Sequence, residues 1–125
     1  MEPIKKASVL IVDDEFLIQE LWTIVVEDMG LDVCGRAATA DDAIELARRH
    51  RPSVVLMDMR LDGEKDGVDA AVAIQSAMAS KVIFVTGSHE EKTILRIKTS
   101  RPAAILFKPV SDRQIRQVIE AALRE

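Results

Sequence analysis

Tyrosine is absent from this chain, and all aromatic residues together make up only 3% of it. A core with so few rings must be built from Val, Ile, Leu, Ala and Met. Such a core suits helices packed over a parallel sheet, whose central strands read as aliphatic runs. Cysteine occurs once, at Cys34, which leaves no disulfide framework and no Cys-based zinc site and fits a reducing cytoplasm. No apolar run is long enough to span a bilayer. The start, Met1-Glu2-Pro3-Ile4-Lys5-Lys6, carries no apolar stretch of signal-peptide length. The expectation is a soluble cytoplasmic domain with no membrane partner. Basic excess is missing too. Lys and Arg number 17 against 21 Asp and Glu, a net charge of −4, which argues against nucleic acid as a partner of this domain. There is no Gly-rich nucleotide loop, so no ATP site is expected.

What is present is 125 residues, 48% hydrophobic and 30% charged. That is one domain's worth, spanning 1–125, with enough apolar content for a real core. Short apolar runs alternate with helical periods along it. Val9-Leu10-Ile11-Val12 reads as a buried strand that stops at Asp13-Asp14-Glu15. The helix that follows, ending at Gly30, presents Leu17, Leu21, Ile24 and Val25 as its expected inner face. A weaker strand covers Leu31 to Ala37. Thr39, with Asp42 three residues on, looks like the cap of a second helix with apolar Ala43, Ile44 and Ala47, which Pro52 ends.

Val54-Val55-Leu56-Met57 is the third strand and runs straight into Asp58. Leu61 to Gly67 is a polar, Gly-punctuated loop, and the third helix carries Val68, Ala71, Val72 and Met78. Val82-Ile83-Phe84-Val85 is the fourth strand, closed by Thr86-Gly87-Ser88. A helix is expected from His89 to Ser100 and a fifth strand from Ala103 to Phe107, before the Lys108-Pro109 turn. Ser111 and Gln114 cap a last helix facing inward through Ile115, Val118, Ile119, Ala122 and Leu123. Five strands alternating with five helices imply an α/β, doubly wound (βα)5 sandwich. Right-handed crossovers then put helices on both faces of a five-stranded parallel sheet.

Polar residues interrupt this pattern at the strand ends: Asp13-Asp14, Asp58, Thr86 and Lys108. In a parallel sheet these ends share one edge, and open α/β sheets bind ligands there, where strand order reverses. With the flavodoxin-like order 2-1-3-4-5 that point lies between the first and third strands. Asp13, Asp14 and Asp58 should converge on it, flanked by Thr86 and Lys108. Three close carboxylates repel one another unless a cation joins them. Oxygen ligands without His or Cys favour a hard divalent ion such as Mg²⁺. Lys108 and Thr86 suit the outer oxygens of a phosphate. A carboxylate nucleophile, a metal, a cation and a hydroxyl make a phosphoryl-transfer site. Each feature also has a plainer reading. Asp13-Asp14-Glu15 could cap the first helix, Asp58 could be a turn residue, Lys108 a solvated charge and Thr86 a strand terminator. Their grouping on one edge favours the site.

Val9-Leu10-Ile11-Val12-Asp13-Asp14-Glu15, Val55-Leu56-Met57-Asp58, Phe84-Val85-Thr86-Gly87 and Phe107-Lys108-Pro109 resemble the receiver domain of two-component response regulators, in order and over essentially the whole chain. The resemblance implies that Asp58 accepts a phosphoryl group from a phosphohistidine on a sensor histidine kinase or phosphotransfer protein. It implies Mg²⁺ ligation by Asp14, Asp58 and the backbone carbonyl of Arg60, with Asp13 acting through water. Thr86 and Lys108 would bind the phosphoryl oxygens, Gly87 would admit the donor, and the Lys108–Pro109 peptide would be cis. The domain would be a phosphorelay switch rather than an enzyme acting on other substrates. It would serve as a single-domain adaptor, a phosphate sink or part of a longer regulator, and meet its downstream target through the fourth helix, fifth strand and fifth helix. Arg96, Lys98, Arg101, Arg113 and Arg116 make that region locally basic.

One departure stands out. The family usually places Tyr or Phe three residues before the lysine, as an aromatic that rotates with the threonine; here that position is Ile105. Phe84-Val85-Thr86-Gly87-Ser88-His89 resembles instead the Phe-Ala-Thr-Gly-x-Tyr subfamily, which also lacks that aromatic and often accompanies kinases of the HWE class. His89 then stands where the subfamily has Tyr, or is simply an exposed residue at the start of the fourth helix, the plainer expectation. Cys34 and Trp22 read as packing residues and His50 as a helix-end residue. A haloacid-dehalogenase-type phosphatase would need an acid where Arg60 stands. A flavodoxin-like carrier would need a Ser/Thr-rich phosphate loop where three acids stand.

Overall fold

The computed structural model describes residues 7–125; the stretch Met1 to Lys6, read above for a leader, lies outside them. Five strands alternate with five helices: β1 Ser8–Val12, α1 Phe16–Asp28, β2 Asp32–Ala37, α2 Ala40–His50, β3 Val54–Asp58, α3 Gly67–Ala77, β4 Lys81–Thr86, α4 Glu91–Thr99, β5 Ala104–Phe107 and α5 Asp112–Arg124. The strands form one parallel sheet in the order β2-β1-β3-β4-β5. The three central strands are buried almost throughout, as their aliphatic runs require.

Alternation along each strand divides the core in two. Val9, Ile11, Val54, Leu56, Ile83 and Val85 point to the face covered by α1 and α5, where Trp22, Val26, Ile115 and Ile119 meet them. Leu10, Val12, Val55, Met57, Val82 and Phe84 point to the face covered by α2, α3 and α4. The caps expected for α2 and α5 are present. Thr39 accepts from the Asp42 backbone N–H, and Ser111 and Gln114 close a reciprocal box that satisfies two otherwise orphaned N–H groups. Trp22 and Cys34 pack against the two cores, and Lys108–Pro109 is cis.

Three expectations need correction. Leu17, Leu21 and Ile24 are 72%, 53% and 62% exposed, so they are not the inner face of α1. That face is Gln19, Trp22, Thr23, Val25 and Val26. Apolar residues occur around most of this helix, so spacing alone could not choose between two stripes. The true inner face includes Gln19 and Thr23, whose N–H and O–H donors are satisfied by backbone carbonyls. Val72 of α3 is 48% exposed, and Met78 lies just past that helix's end. The fourth helix begins at Glu91 rather than His89.

Candidate functional site

Where β1, β3, β4 and β5 end, the sheet edge opens into a cleft of about 810 Å³ whose lining includes Asp14, Asp58, Arg60, Thr86, His89 and Lys108. Carboxylate oxygens of Asp13, Asp14 and Asp58 lie within 4.8 Å of one another. Asp13, Asp58 and Thr86 are buried, and Asp14 is exposed at the rim. The Lys108 ammonium donates to Asp13 Oδ2 at 3.2 Å and stands 3.5 Å from Asp58 Oδ2. The Lys108 backbone N–H donates to the Thr86 carbonyl at 2.8 Å, which ties the turn after β5 to the end of β4. The five side chains singled out along the sequence therefore share one edge.

The acids are not occupied in capping α1. Glu15 holds the N-cap position and makes no side-chain cap bond, and the first turn of the helix contains no acid. Asp13 does fix the corner, its Oδ1 accepting the Glu15 N–H at 2.8 Å, but Oδ2 faces Lys108.

The electrostatics show what the cluster lacks. Burial pushes the Asp58 carboxyl up from 3.8 to about 7; the Asp13 charge adds to this, Lys108 partly offsets it and Asp14 adds a smaller push. Burial opposes the charge on Lys108, but the carboxylates of Asp58 and Asp13 outweigh it and hold the ammonium above its ordinary range. One lysine thus sits against two of the three clustered acids. The donor set is oxygen-only, partly desolvated and short of positive charge, which fits a hard divalent cation such as Mg²⁺.

The loop between β3 and α3 is secured by contacts not foreseen from the sequence. Asp66 caps α3 in a reciprocal box with Asp69, a pattern readable as an acid followed three residues later by another. Arg96 of α4 clamps both acids, with both of its contacts to Asp66 at 3.1 Å and one to Asp69 at 3.2 Å. Lys65 reaches Asp41 of α2 at 2.8 Å. Gly67 is required sterically, since a Cβ there would stand 2.2 Å from the Asp58 carbonyl oxygen. No sequence signal marks that approach.

His89 is exposed, as the plainer reading expected, but it is not idle. Its ring stacks on Phe107 with centroids 5.0 Å apart, joining the loop after Thr86 to the residue before Lys108. The basic surface expected on α4 and α5 is partly committed elsewhere, because Arg96 pairs with Asp66 and Asp69 and Arg116 with Asp28.

A family model for the response regulator receiver domain matches residues 9–120. The chain belongs to the response regulator receiver family. Its fold is the family's, with five helices and a parallel sheet ordered 2-1-3-4-5. This receiver is 31% identical to the transcriptional regulatory protein PdtaR of Mycobacterium tuberculosis, over 92% of the chain and 56% of that protein. It is 32% identical to the phyllosphere-induced regulator PhyR of Methylorubrum extorquens, over 93% of the chain and 43% of that protein. The chain thus spans about half the length of these curated relatives. Among solved structures, the signal receiver domain of a modulated diguanylate cyclase from Desulfovibrio desulfuricans G20 superimposes with a TM-score of 0.89 at 32% identity, covering 96% of this chain and 95% of that one. No helix among the described residues is long and apolar enough to cross a membrane.

Proposed function

We propose that this receiver is a single domain, residues 1–125, that takes a phosphoryl group onto Asp58 from a phosphohistidine. The donor is a sensor histidine kinase, with the HWE class the first candidate, or a phosphotransfer protein. The observation that carries the reading is the meeting of three aspartates with Lys108 and Thr86 at one sheet edge.

Asp14, Asp58 and the Arg60 carbonyl would hold Mg²⁺ directly, with Asp13 placed to act through water. When bound, the cation would neutralise charge on the transferring phosphoryl oxygens. An Asp58 carboxylate oxygen forms a bond to phosphorus as the P–N bond breaks, and the departing electron pair stays with the donor imidazole. Lys108 stands beside the acceptor oxygen to stabilise the incoming negative charge. Thr86 ends the adjacent strand and offers its hydroxyl to a phosphoryl oxygen. Gly87 has nothing within 4 Å of where a Cβ would stand, consistent with an open approach for the donor.

Phosphorylation would then shift the population between two arrangements of the loop after β4 and the α4-β5-α5 surface, where a downstream protein would bind. With Ile105 at the usual aromatic position, the His89–Phe107 stack is the ring pair available to couple that loop to β5, which supports placement in the Phe-Ala-Thr-Gly-x-Tyr subfamily. A cytoplasmic phosphorelay role follows, either as an adaptor or as the receiver part of a longer regulator, as the partial coverage of PdtaR and PhyR suggests.

The test is transfer from a phosphohistidine donor followed by peptide mapping. Label should fall on the peptide containing Asp58 and vanish in EDTA. Label elsewhere, or label indifferent to EDTA, would overturn the assignment.

A further inference from the structure

Gln19, in the first half of α1, is buried, and its amide reaches back toward the cluster. Its Nε2 donates to the Asp13 carbonyl at 2.7 Å and to the Ala37 carbonyl at 3.3 Å. Both partners can only accept, so the chemistry requires the amide nitrogen, not its oxygen, to face them. Asp13 follows the last residue of β1 and Ala37 ends β2; the Asp13 N–H also donates to the Ala37 carbonyl at 3.0 Å. One side chain therefore ties α1 to the ends of both strands.

The tie matters because of what the Asp13 carbonyl belongs to. It lies in the same planar peptide unit as the Asp14 nitrogen, so holding that oxygen fixes the plane from which Asp14 departs. The other bonds at this corner fall on the Asp13 side chain and N–H. Glu15 contributes no side-chain cap; the Asp13 side chain is held by the Glu15 N–H at 2.8 Å and by the Lys108 ammonium at 3.2 Å, and neither bond reaches the Asp13 carbonyl. Asp14 is exposed and carries the same charge as the two buried acids beside it. Repulsion favours swinging it toward solvent, and a fixed peptide plane opposes that.

We propose that Gln19 is a positioning residue for the cation site, holding the Asp13–Asp14 peptide so that Asp14 stays within reach of Asp58. This rests on the Mg²⁺ reading given under Proposed function. With the corner held, a cation meets ligands already in place; without it, binding must first order the corner and lose that conformational freedom. Gln19 acts through Asp13 and Asp14 and touches neither metal nor phosphoryl group.

The test is calorimetric titration with MgCl₂, paired with urea unfolding in EDTA. Gln19→Met fills similar space without an N–H donor, and Gln19→Asn keeps an amide one methylene too short to reach. Each should weaken Mg²⁺ binding about tenfold, the loss typical when a group orienting a metal ligand is removed. Thr23→Val deletes a buried hydroxyl that donates to the Gln19 carbonyl at 2.7 Å; it should lower the urea midpoint and leave Mg²⁺ affinity unchanged. If the Gln19 variants bind Mg²⁺ as tightly as the native chain, or if Thr23→Val weakens binding equally, Gln19 is only a structural anchor and the proposal is wrong. A native chain that takes up no Mg²⁺ overturns the cation reading, and this role with it.

Discussion

Lys108 Nζ stands 3.5 Å from Asp58 Oδ2 and belongs to the residue just past the end of β5, two strands away from β3 in the sheet. It is the nearby positive charge that pulls the Asp58 pKa down, against burial and against the Asp13 and Asp14 charges. Lys108→Met should therefore raise the Asp58 pKa beyond its value of about 7. Carboxyl carbon chemical shifts followed against pH in EDTA would show the midpoint move upward. An unchanged midpoint would mean that the pair is not coupled.

The same shift sets a pH dependence of stability. The Asp58 pKa is raised on folding, from 3.8 to about 7. The folded state then holds this proton more tightly than the unfolded chain does. The stabilising contribution is complete below about pH 4 and is lost as pH rises toward 7, with a slope of at most about 1.4 kcal/mol per pH unit. Asp58→Asn removes the titrating group. In EDTA it should be more stable than the native chain at pH 7 to 8, with the difference shrinking toward pH 4. Urea midpoints of the two chains across that range check this, and a difference that grows on acidification would contradict it. Mg²⁺ should raise the native midpoint at pH 7 to 8.

Gly67 begins α3 with a Cβ position 2.2 Å from the Asp58 carbonyl oxygen, a contact with backbone that cannot simply rotate away. Gly67→Ala should cost about 1–3 kcal/mol, as overpacking typically does. It should also weaken Mg²⁺ binding, because the carbonyl that must move belongs to Asp58. Urea unfolding and Mg²⁺ titration check the two effects separately. Gly63, at φ +94° with open space around its Cβ position, is a glycine for backbone conformation instead.

The exposed stripe of α1 gives a prediction opposite to the one its sequence spacing suggests. Leu17→Gln and Leu21→Gln should each change stability by no more than about 0.5 kcal/mol, the usual range for surface substitutions. Val26→Ala, in the fully buried part of the same helix, should cost about 1–3 kcal/mol. Urea unfolding of the three variants decides between the two faces.

These residues also mark how far the sequence could be read. The sheet was legible because parallel central strands are aliphatic on both sides, so Val9–Val12, Val54–Met57 and Val82–Val85 stand out without reference to a partner. The site followed from topology, since strand ends of a parallel sheet must share an edge. The inner face of α1 was not legible, because its apolar residues encircle the helix and its buried Gln19 donates its amide N–H groups to carbonyls just past β1 and at the end of β2. The steric demand on Gly67, the Arg96 clamp on Asp66 and the His89–Phe107 stack join segments distant in sequence. Local spacing carries no signal for such contacts.

The most direct test of the account is intact mass after incubation with a small phosphodonor and Mg²⁺. The native chain should gain a single phosphoryl group that survives mild acid and is lost in base, as an acyl phosphate would be, and Asp58→Asn should gain none. No adduct on the native chain, or an adduct that persists in Asp58→Asn, would contradict the assignment of Asp58 as the phosphoacceptor.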